Sequence, residues 1–107
     1  MVTVVWTKQA LNQRRLLYKN GVLEFGVSVA ISTAERINSI AENLRKWPTS
    51  GFPEPLLKNS PRLYRSKHIN KRFKLIYRFE EDREMVYIED IWDTRRAPQN
   101  LVKRIKI

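Results

Sequence analysis

Lysines and arginines are concentrated in two parts of the chain, and their chemistry suits the binding of anions. Residues 58–78 contain eight lysines or arginines and no acidic residue, and a second basic stretch begins at Arg95 and Arg96. Guanidinium groups bind phosphates and carboxylates through two parallel hydrogen bonds. The net charge is +10 and the pI is near 10.3. The sequence therefore predicts an anionic partner such as RNA, DNA, the ribosome or an acidic protein segment.

The arginine pair at Arg95 and Arg96 also has a purely structural interpretation. Both can be solvated side chains at the end of a strand, since Pro98 blocks further strand pairing. One of them can instead pair with Asp90 or Asp93 as a local clamp. The functional interpretation places at least one of the two in a cationic patch, and the sequence leaves these alternatives open.

Metal and cofactor chemistry finds little support in the composition. The chain has no cysteine and one histidine, His68, so disulfides, thiolate sites and histidine-rich metal sites are not expected. We therefore expect no metal site and no cofactor. We interpret His68 as an exposed or edge histidine, with a role in proton transfer as the weaker alternative.

Chain length and hydropathy predict the general class of protein. A chain of 107 residues is expected to form one domain, residues 1–107. No apolar run approaches the ~18–20 residues of a membrane span, and the first ten residues do not read as a signal peptide. We expect a cytoplasmic protein without a membrane partner.

The first half of the chain reads as a strand followed by two helices. The run "TVVW" at residues 3–6 predicts a strand, and Thr7 is a suitable N-cap for a first helix. That helix ends either at Gly21 or at Phe25, because an interior glycine is unfavourable in a helix. A second helix follows, capped by Ser28 or Ser32, and ends at Trp47-Pro48. Its apolar stripe consists of Ala30, Ala34, Ile37, Ile40, Ala41 and Leu44.

Three strands are predicted after a connector rich in proline, glycine and serine. They span residues 62–69, 73–79 and 85–92, and the polar turn "EEDRE" joins the last two as an antiparallel hairpin. Apolar and charged residues alternate in the middle strand, so one side of the sheet should pack and the other should carry charge. The closing "LVKRIKI" could form a short edge strand or a docking tail. The order β-α-α-β-β-β predicts an α+β fold, a helical hairpin packed on a small, mostly antiparallel, twisted sheet.

The order of these elements and four local motifs resemble the RelE/ParE superfamily of bacterial toxins. The motifs are "WTKQA", "LRKWPTSGFP", "RFKLIYRF" and "VYIEDIWDTRRAP". The resemblance implies the toxin component of a type II toxin–antitoxin (plasmid stabilization) system. Some members cut mRNA on the ribosome and others inhibit DNA gyrase, and a cognate antitoxin neutralises them. A second copy of the chain, as a homodimer, is a further partner to consider.

The RelE-like branch implies a metal-independent nuclease that needs a base, a proton donor and cations for the phosphorane charge. Aligning "RFKLIY" with the third strand of that branch puts Lys74 at its arginine, and Arg65 and Lys67 at the second-strand positions. Arg95 is the nearest match to its strand-end arginine. The catalytic set would therefore be Arg65, Lys67, Lys74 and Arg95, but the branch's terminal tyrosine or histidine has no counterpart after Tyr87.

The ParE-like branch fits the helical region better. About 40 residues separate Thr7 from Trp47, a length typical of that branch, and a strand-end arginine pair followed by proline also resembles it. We therefore predict a ParE-like toxin that inhibits a protein target such as DNA gyrase. A RelE-like ribosome-dependent mRNA endonuclease and a degenerate antitoxin-binding module without toxicity are the alternatives. The residues expected to bind a partner are Arg72, Arg78, Trp92 and Arg96, although a tryptophan is more often part of a core.

Overall fold

The computed structural model describes residues 1–105, which form one five-stranded sheet and three helices. The strands are β1 (Thr3–Trp6), β2 (Phe52–Pro53), β3 (Tyr64–His68), β4 (Phe73–Glu80) and β5 (Met85–Asp93), and the helices are α1 (Lys8–Phe25), α2 (Val27–Asn43) and α3 (Pro98–Ile105). The strand order is β1-β5-β4-β3-β2. β1 runs parallel to β5 and the other pairs are antiparallel. The α+β prediction is confirmed, with β2 as an additional short edge strand.

The predicted start of α1 is confirmed. Thr7 is the N-cap, and its hydroxyl oxygen accepts a hydrogen bond from the Ala10 N–H at 3.1 Å. The helix continues through Gly21, which faces Ala30 of α2, and ends at Phe25. The break comes at Gly26, whose φ of 92° lies in a region that L side chains rarely adopt.

The second helix follows directly, and its predicted caps are wrong. α2 begins at Val27, so Ser28 and Ser32 lie inside the helix, and within the described residues no side chain caps it. The apolar stripe is largely confirmed, because Ala30, Ile37, Ala41 and Leu44 are buried. No helix within residues 1–105 is long and apolar enough to span a membrane.

The two sides of the sheet are covered differently. The helix side is the side that α1 and α2 cover, and its core comprises Ala10, Ile37, Ala41, Leu44, Ile69, Leu75, Tyr77, Val86, Ile88 and Ile91. The second side carries a smaller core of Leu57, Tyr64, Ile76, Trp92 and Leu101. The second side carries charge at Lys74 and Arg78, as predicted, but it also packs a core of its own, which the sequence did not predict.

Helix α3 explains the second core. Residues 98–105 are helical rather than an edge strand, with Pro98 at the first position, where proline is well tolerated. Leu101 and Ile105 are four residues apart on one face of α3, and both contact the second core. The last two residues of the predicted tail, Lys106 and Ile107, lie outside the described residues.

Candidate functional site

The strand register places the predicted cationic residues on opposite sides of the sheet. Arg65 pairs opposite Tyr77, which belongs to the core of the helix side. Lys74 pairs opposite Trp92, which belongs to the second core. Because directly opposed residues on neighbouring strands point to the same side, Arg65 lies on the helix side and Lys74 on the second side. Lys67, two residues after Arg65, shares its side, so the structure does not bring the predicted catalytic set together.

On the helix side, Arg65 and Lys67 hold a loop in place. The Arg65 guanidinium donates to the Gly51 carbonyl at 2.9 Å and to the Thr49 carbonyl at 3.3 Å. The Lys67 ammonium donates to the Ser50 hydroxyl at 3.2 Å. Both cations therefore already donate hydrogen bonds to oxygen atoms of residues 49–51.

The same loop covers Tyr77, the most deeply placed phenol of the helix side. Its hydroxyl accepts a hydrogen bond from the Gly51 N–H at 2.9 Å, and a Cβ at Gly51 would approach that hydroxyl to 2.7 Å. Burial raises the pKa of Tyr77, which outweighs the lowering by the Gly51 N–H and by the Arg65 charge. The phenol is therefore enclosed within the protein and does not face a substrate-binding surface.

On the second side, Lys74 is paired inside the protein. Its ammonium contacts the Glu54 carboxylate, and the two side chains are 11% and 0% exposed. The other Glu54 oxygen accepts a hydrogen bond from the Leu56 N–H at 3.0 Å, which starts the short 3-10 turn at Pro55–Leu57. Lys74 in this arrangement neutralises a buried acid and is not free to bind a phosphate.

A second buried pair joins α3 to β5. Arg104 contacts Asp90, whose carboxylate is fully buried. Burial raises the pKa of Asp90 to about 6, against the opposing effect of the Arg104 charge. Sequence reasoning missed this pair and the Glu54–Lys74 pair, since Glu54 lies in an apparent connector and Arg104 in an apparent tail.

Arg78 is also enclosed by groups of the protein. It contacts Glu80 and Glu89, the latter at 3.6 Å, and its guanidinium lies 4.1 Å from the centre of the Tyr87 ring. Two acids and an aromatic face therefore surround this predicted binding residue.

The predicted arginine pair lies in a tightly bonded turn, which we call the strand-end turn (residues 93–96). The Arg95 N–H donates to an Asp93 carboxylate oxygen at 3.0 Å, and the Arg96 N–H donates to the Asp93 carbonyl at 3.1 Å. The Thr94 N–H and hydroxyl both donate to the Arg72 carbonyl at 2.8 Å. This turn is therefore anchored to the chain immediately before β4.

Ion pairs at the strand-end turn converge on Asp93. Arg72 bonds its carboxylate at 3.1 Å and Arg95 approaches it at 3.5 Å, so the proposed structural clamp is present for Arg95. Burial alone would raise the pKa of Asp93, but hydrogen bonds from the Arg95 N–H and from Arg72 outweigh it and lower the pKa. Asp93 therefore stays ionised and holds both arginines.

Arg96 differs from its neighbours. Its guanidinium lies 5.5 Å from the centre of the Trp92 ring, and Arg104 lies 5.4 Å from the same ring. Trp92 is 1% exposed, so its indole is packed rather than offered as a stacking surface. Within residues 1–105, Arg96 has no carboxylate within salt-bridge distance.

A groove of about 580 Å³ lies between α1, α2 and the β3–β4 connection, and we call it the helical groove. Two cations, Arg14 and Arg15, contribute to its lining, and no acidic residue does. Several of its apolar residues are exposed, which is typical of a surface that binds another protein. They are Leu11, Tyr18, Phe25 and Val29.

Comparison with known families gives a match over most of the chain. The family described as "ParE toxin of type II toxin-antitoxin system, parDE" matches residues 4–98. No curated protein sequence matches.

Three solved structures share this fold. The "Chromosomal ParDE TA system from P. aeruginosa" has a TM-score of 0.70 and 19% identity, covering 87% of this chain and 96% of that one. The "metal-bound toxin from Helicobacter pylori" has a TM-score of 0.65 and 16% identity, covering 89% and 97%. The "YoeB/ParE toxin from Agrobacterium tumefaciens" has a TM-score of 0.60 and 20% identity, covering 86% and 98%. At these identities the similarity shows the fold alone.

Proposed function

Because the chain belongs to the ParE toxin family of type II toxin–antitoxin systems, we propose that it inhibits bacterial growth by binding a protein target such as DNA gyrase. A toxin of this family has an antitoxin as its partner. The proposed action is non-covalent, takes place in the cytoplasm and needs neither metal nor cofactor.

The observation that carries this proposal is the separation of the predicted nuclease cations. Arg65 and Lys67 lie on the helix side, Lys74 lies on the second side in a buried pair with Glu54, and Arg95 contacts Asp93. RNA cleavage through the 2′-hydroxyl needs cations that converge on one phosphate together with a base and an acid. Such an arrangement is absent among these four residues, which favours a binding toxin over a nuclease.

The helical groove supports a protein partner for a second reason. Its apolar lining and its two arginines match a segment that presents apolar residues with acidic neighbours, and the whole chain carries a charge of +10. We assign this groove to the antitoxin. Opposite charge would also speed the encounter between the two proteins.

The experiment that tests the proposal combines induction in cells with an assay of the purified protein. Induction of the chain without its antitoxin should arrest growth and filament the cells while messages stay intact. The purified chain should inhibit supercoiling by gyrase, and added antitoxin should restore it. Relaxation by a type I topoisomerase is the control and should not change.

Two other results would contradict the proposal. Codon-positioned cuts in translated messages, mapped at their 5′ ends, would support the RelE-like endonuclease. Antitoxin binding without growth arrest would support a degenerate module that has lost toxicity.

A further inference from the structure

We propose that Arg96 and a small groove beside it receive an acidic side chain of the protein that this toxin inhibits. The groove, which we call the arginine groove, has a volume of about 260 Å³ and lies between α1, the start of β4, the end of β5 and α3. This inference rests on the proposed function and adds the residue that recognises the target.

The walls of the arginine groove are both apolar and charged. Leu16 and Leu17 of α1 line it together with Phe73 and Ile91 of the sheet, and Arg96 lines its edge towards α3. A partner side chain that packed against the apolar walls would displace water there, which strengthens an ion pair with Arg96 compared with one on an open surface. The groove therefore suits a side chain that is apolar along its stem and negative at its tip.

Of the arginines around the arginine groove, one is not paired with a carboxylate of the described residues. Arg72 contacts both Glu24, at 3.7 Å, and Asp93, at 3.1 Å. Arg104, which also lines the groove, is paired with Asp90. Asp93 has a second partner in Arg95, so the three carboxylates are compensated by Arg72, Arg95 and Arg104. Within residues 1–105, Arg96 is the cation of this cluster that is left without a carboxylate.

The position of Arg96 is fixed before any partner arrives. Its N–H is bonded to the Asp93 carbonyl, and the preceding Thr94 is bonded to the Arg72 carbonyl. The guanidinium is further held over Trp92. A cation that is already ordered loses less conformational entropy when it binds, which favours affinity and specificity.

The size and charge of the arginine groove decide what occupies it. A volume of about 260 Å³ is below the roughly 300–1,000 Å³ of pockets for drug-sized molecules, and it suits one or two protein side chains. Glu24 and Asp93 also line the groove, and both already have arginine partners. A single carboxylate can therefore reach Arg96, whereas the successive phosphates of a nucleic acid would extend from Arg96 to these two acids. A glutamate or aspartate beside an apolar residue, projecting from a folded target, fits both features.

The test compares Arg96→Met with Arg36→Met in cells. Methionine keeps an apolar stem over Trp92 while the charge is removed, and Arg36 is an exposed residue of α2 that does not line this groove. The readout is the amount of toxin per cell, measured by quantitative immunoblot, at which the growth rate halves. We expect Arg96→Met to raise that amount about 10- to 100-fold, as for loss of one partner of a desolvated ion pair. Arg36→Met should change it by less than about threefold.

Two further measurements separate recognition of the target from folding and from antitoxin binding. Arg96→Lys keeps the charge without bidentate geometry, so it should recover part of the activity. The affinity of purified antitoxin for Arg96→Met should stay within about threefold of wild type, which also shows that the variant is folded.

The inference is overturned if Arg96→Met and Arg36→Met arrest growth at the same level. It is also overturned if Arg96→Met binds the antitoxin as weakly as it acts on cells, because the groove would then serve the antitoxin or the fold. A wild-type chain that arrests no growth would instead overturn the proposed function, and this inference with it.

Discussion

The two sides of the sheet solve the same packing problem with different chemistry. On the helix side, two long helices supply a core that is apolar apart from the Tyr77 hydroxyl. On the second side, the short helix α3 and the turn at Pro55–Leu57 supply few apolar residues, and two ion pairs are buried beside them, Glu54–Lys74 and Asp90–Arg104. On this side, lysines and arginines that look functional in the sequence therefore form ion pairs inside the protein. The candidate for recognition, Arg96, lies beyond the end of β5.

This difference has an energetic consequence. Apolar packing tolerates substitutions that conserve volume, whereas removing one partner of a buried pair leaves an uncompensated charge even when the volume changes little. The second side should therefore be far more sensitive to single charge changes than the helix side. Three measurements examine that contrast.

The largest effect is expected for Glu54→Ala. The change leaves Lys74 buried without its carboxylate, which should lower the free energy of unfolding by about 3 to 5 kcal/mol. Replacing both members with methionine should recover most of this loss, because no charge then remains buried. Urea unfolding of the three proteins measures the differences.

A matched control for Glu54→Ala is Glu42→Ala on the exposed surface of α2. Glu42 contacts Arg45 at 3.1 Å but is 73% exposed, so its loss should change the free energy of unfolding by about 0.5 kcal/mol or less. Equal effects of the two alanine variants would mean that the Glu54–Lys74 pair is no more important than a surface pair.

An intermediate effect is expected from the titration of Asp90. Its pKa is about 6 in the folded protein, against an ordinary value of 3.8. At pH values between these two, the carboxyl is mostly protonated in the folded state and mostly ionised in the unfolded state. This tighter binding of a proton raises the free energy of unfolding. The contribution is complete below about pH 4 and is lost as the pH rises through about 6. Wild type should lose on the order of 2 to 3 kcal/mol relative to Asp90→Asn between pH 4 and pH 7.

Asp93, three residues further along β5, supplies a control with the opposite sign. Its pKa is lowered, so its stabilisation is present above the ordinary carboxyl pKa and is lost as the pH falls. Comparing Asp93→Asn with wild type should therefore show a difference that shrinks in acid. A difference between wild type and Asp90→Asn that does not change with pH would contradict the raised pKa of Asp90.

The smallest effect is expected on the helix side, for Thr7→Ala. The change removes the hydroxyl that accepts the Ala10 N–H, and loss of such a cap should lower the free energy of unfolding by about 1 kcal/mol. Ser28→Ala is the control, since Ser28 lies inside α2 on an exposed position and should change stability by about 0.5 kcal/mol or less. Thermal unfolding of both variants measures the two losses. An equal loss of stability in Thr7→Ala and Ser28→Ala would argue against the cap.

The helices and strands were predictable where the sequence has a clear period. β1 was located at its observed bounds, and β4 and β5 within one residue, because apolar and polar residues alternate or run continuously there. The stripe of α2 was found for the same reason. Helix α3 was missed because the two residues that pack against the second core, Leu101 and Ile105, stand in a basic segment too short to show a helical repeat.

The candidate site was less predictable than the fold. A shift of one residue in the register of a strand moves every side chain to the other side of the sheet. The sequence does not reveal the register that relates Arg65 and Lys67 to Lys74, and the structure places them on opposite sides of the sheet. The burial of Glu54 could not be predicted from the sequence either, because it depends on how the turn at Pro55–Leu57 packs against β4.

The sequence by itself determined the order of β1, α1 and α2 and of β3, β4 and β5, the excess of positive charge and the types of side chain present, because these depend on neighbouring residues and on composition. Only the tertiary structure decided which cations are already neutralised, since ion pairs such as Asp90–Arg104 and Arg72–Asp93 join residues 14 and 21 positions apart in the chain. Ion pairing acts over a few ångströms, and such distances between remote residues exist only once the chain has folded. Arg95 and Arg96 are the same residue type in adjacent positions, and folding alone gives one of them a carboxylate partner and leaves the other beside a groove.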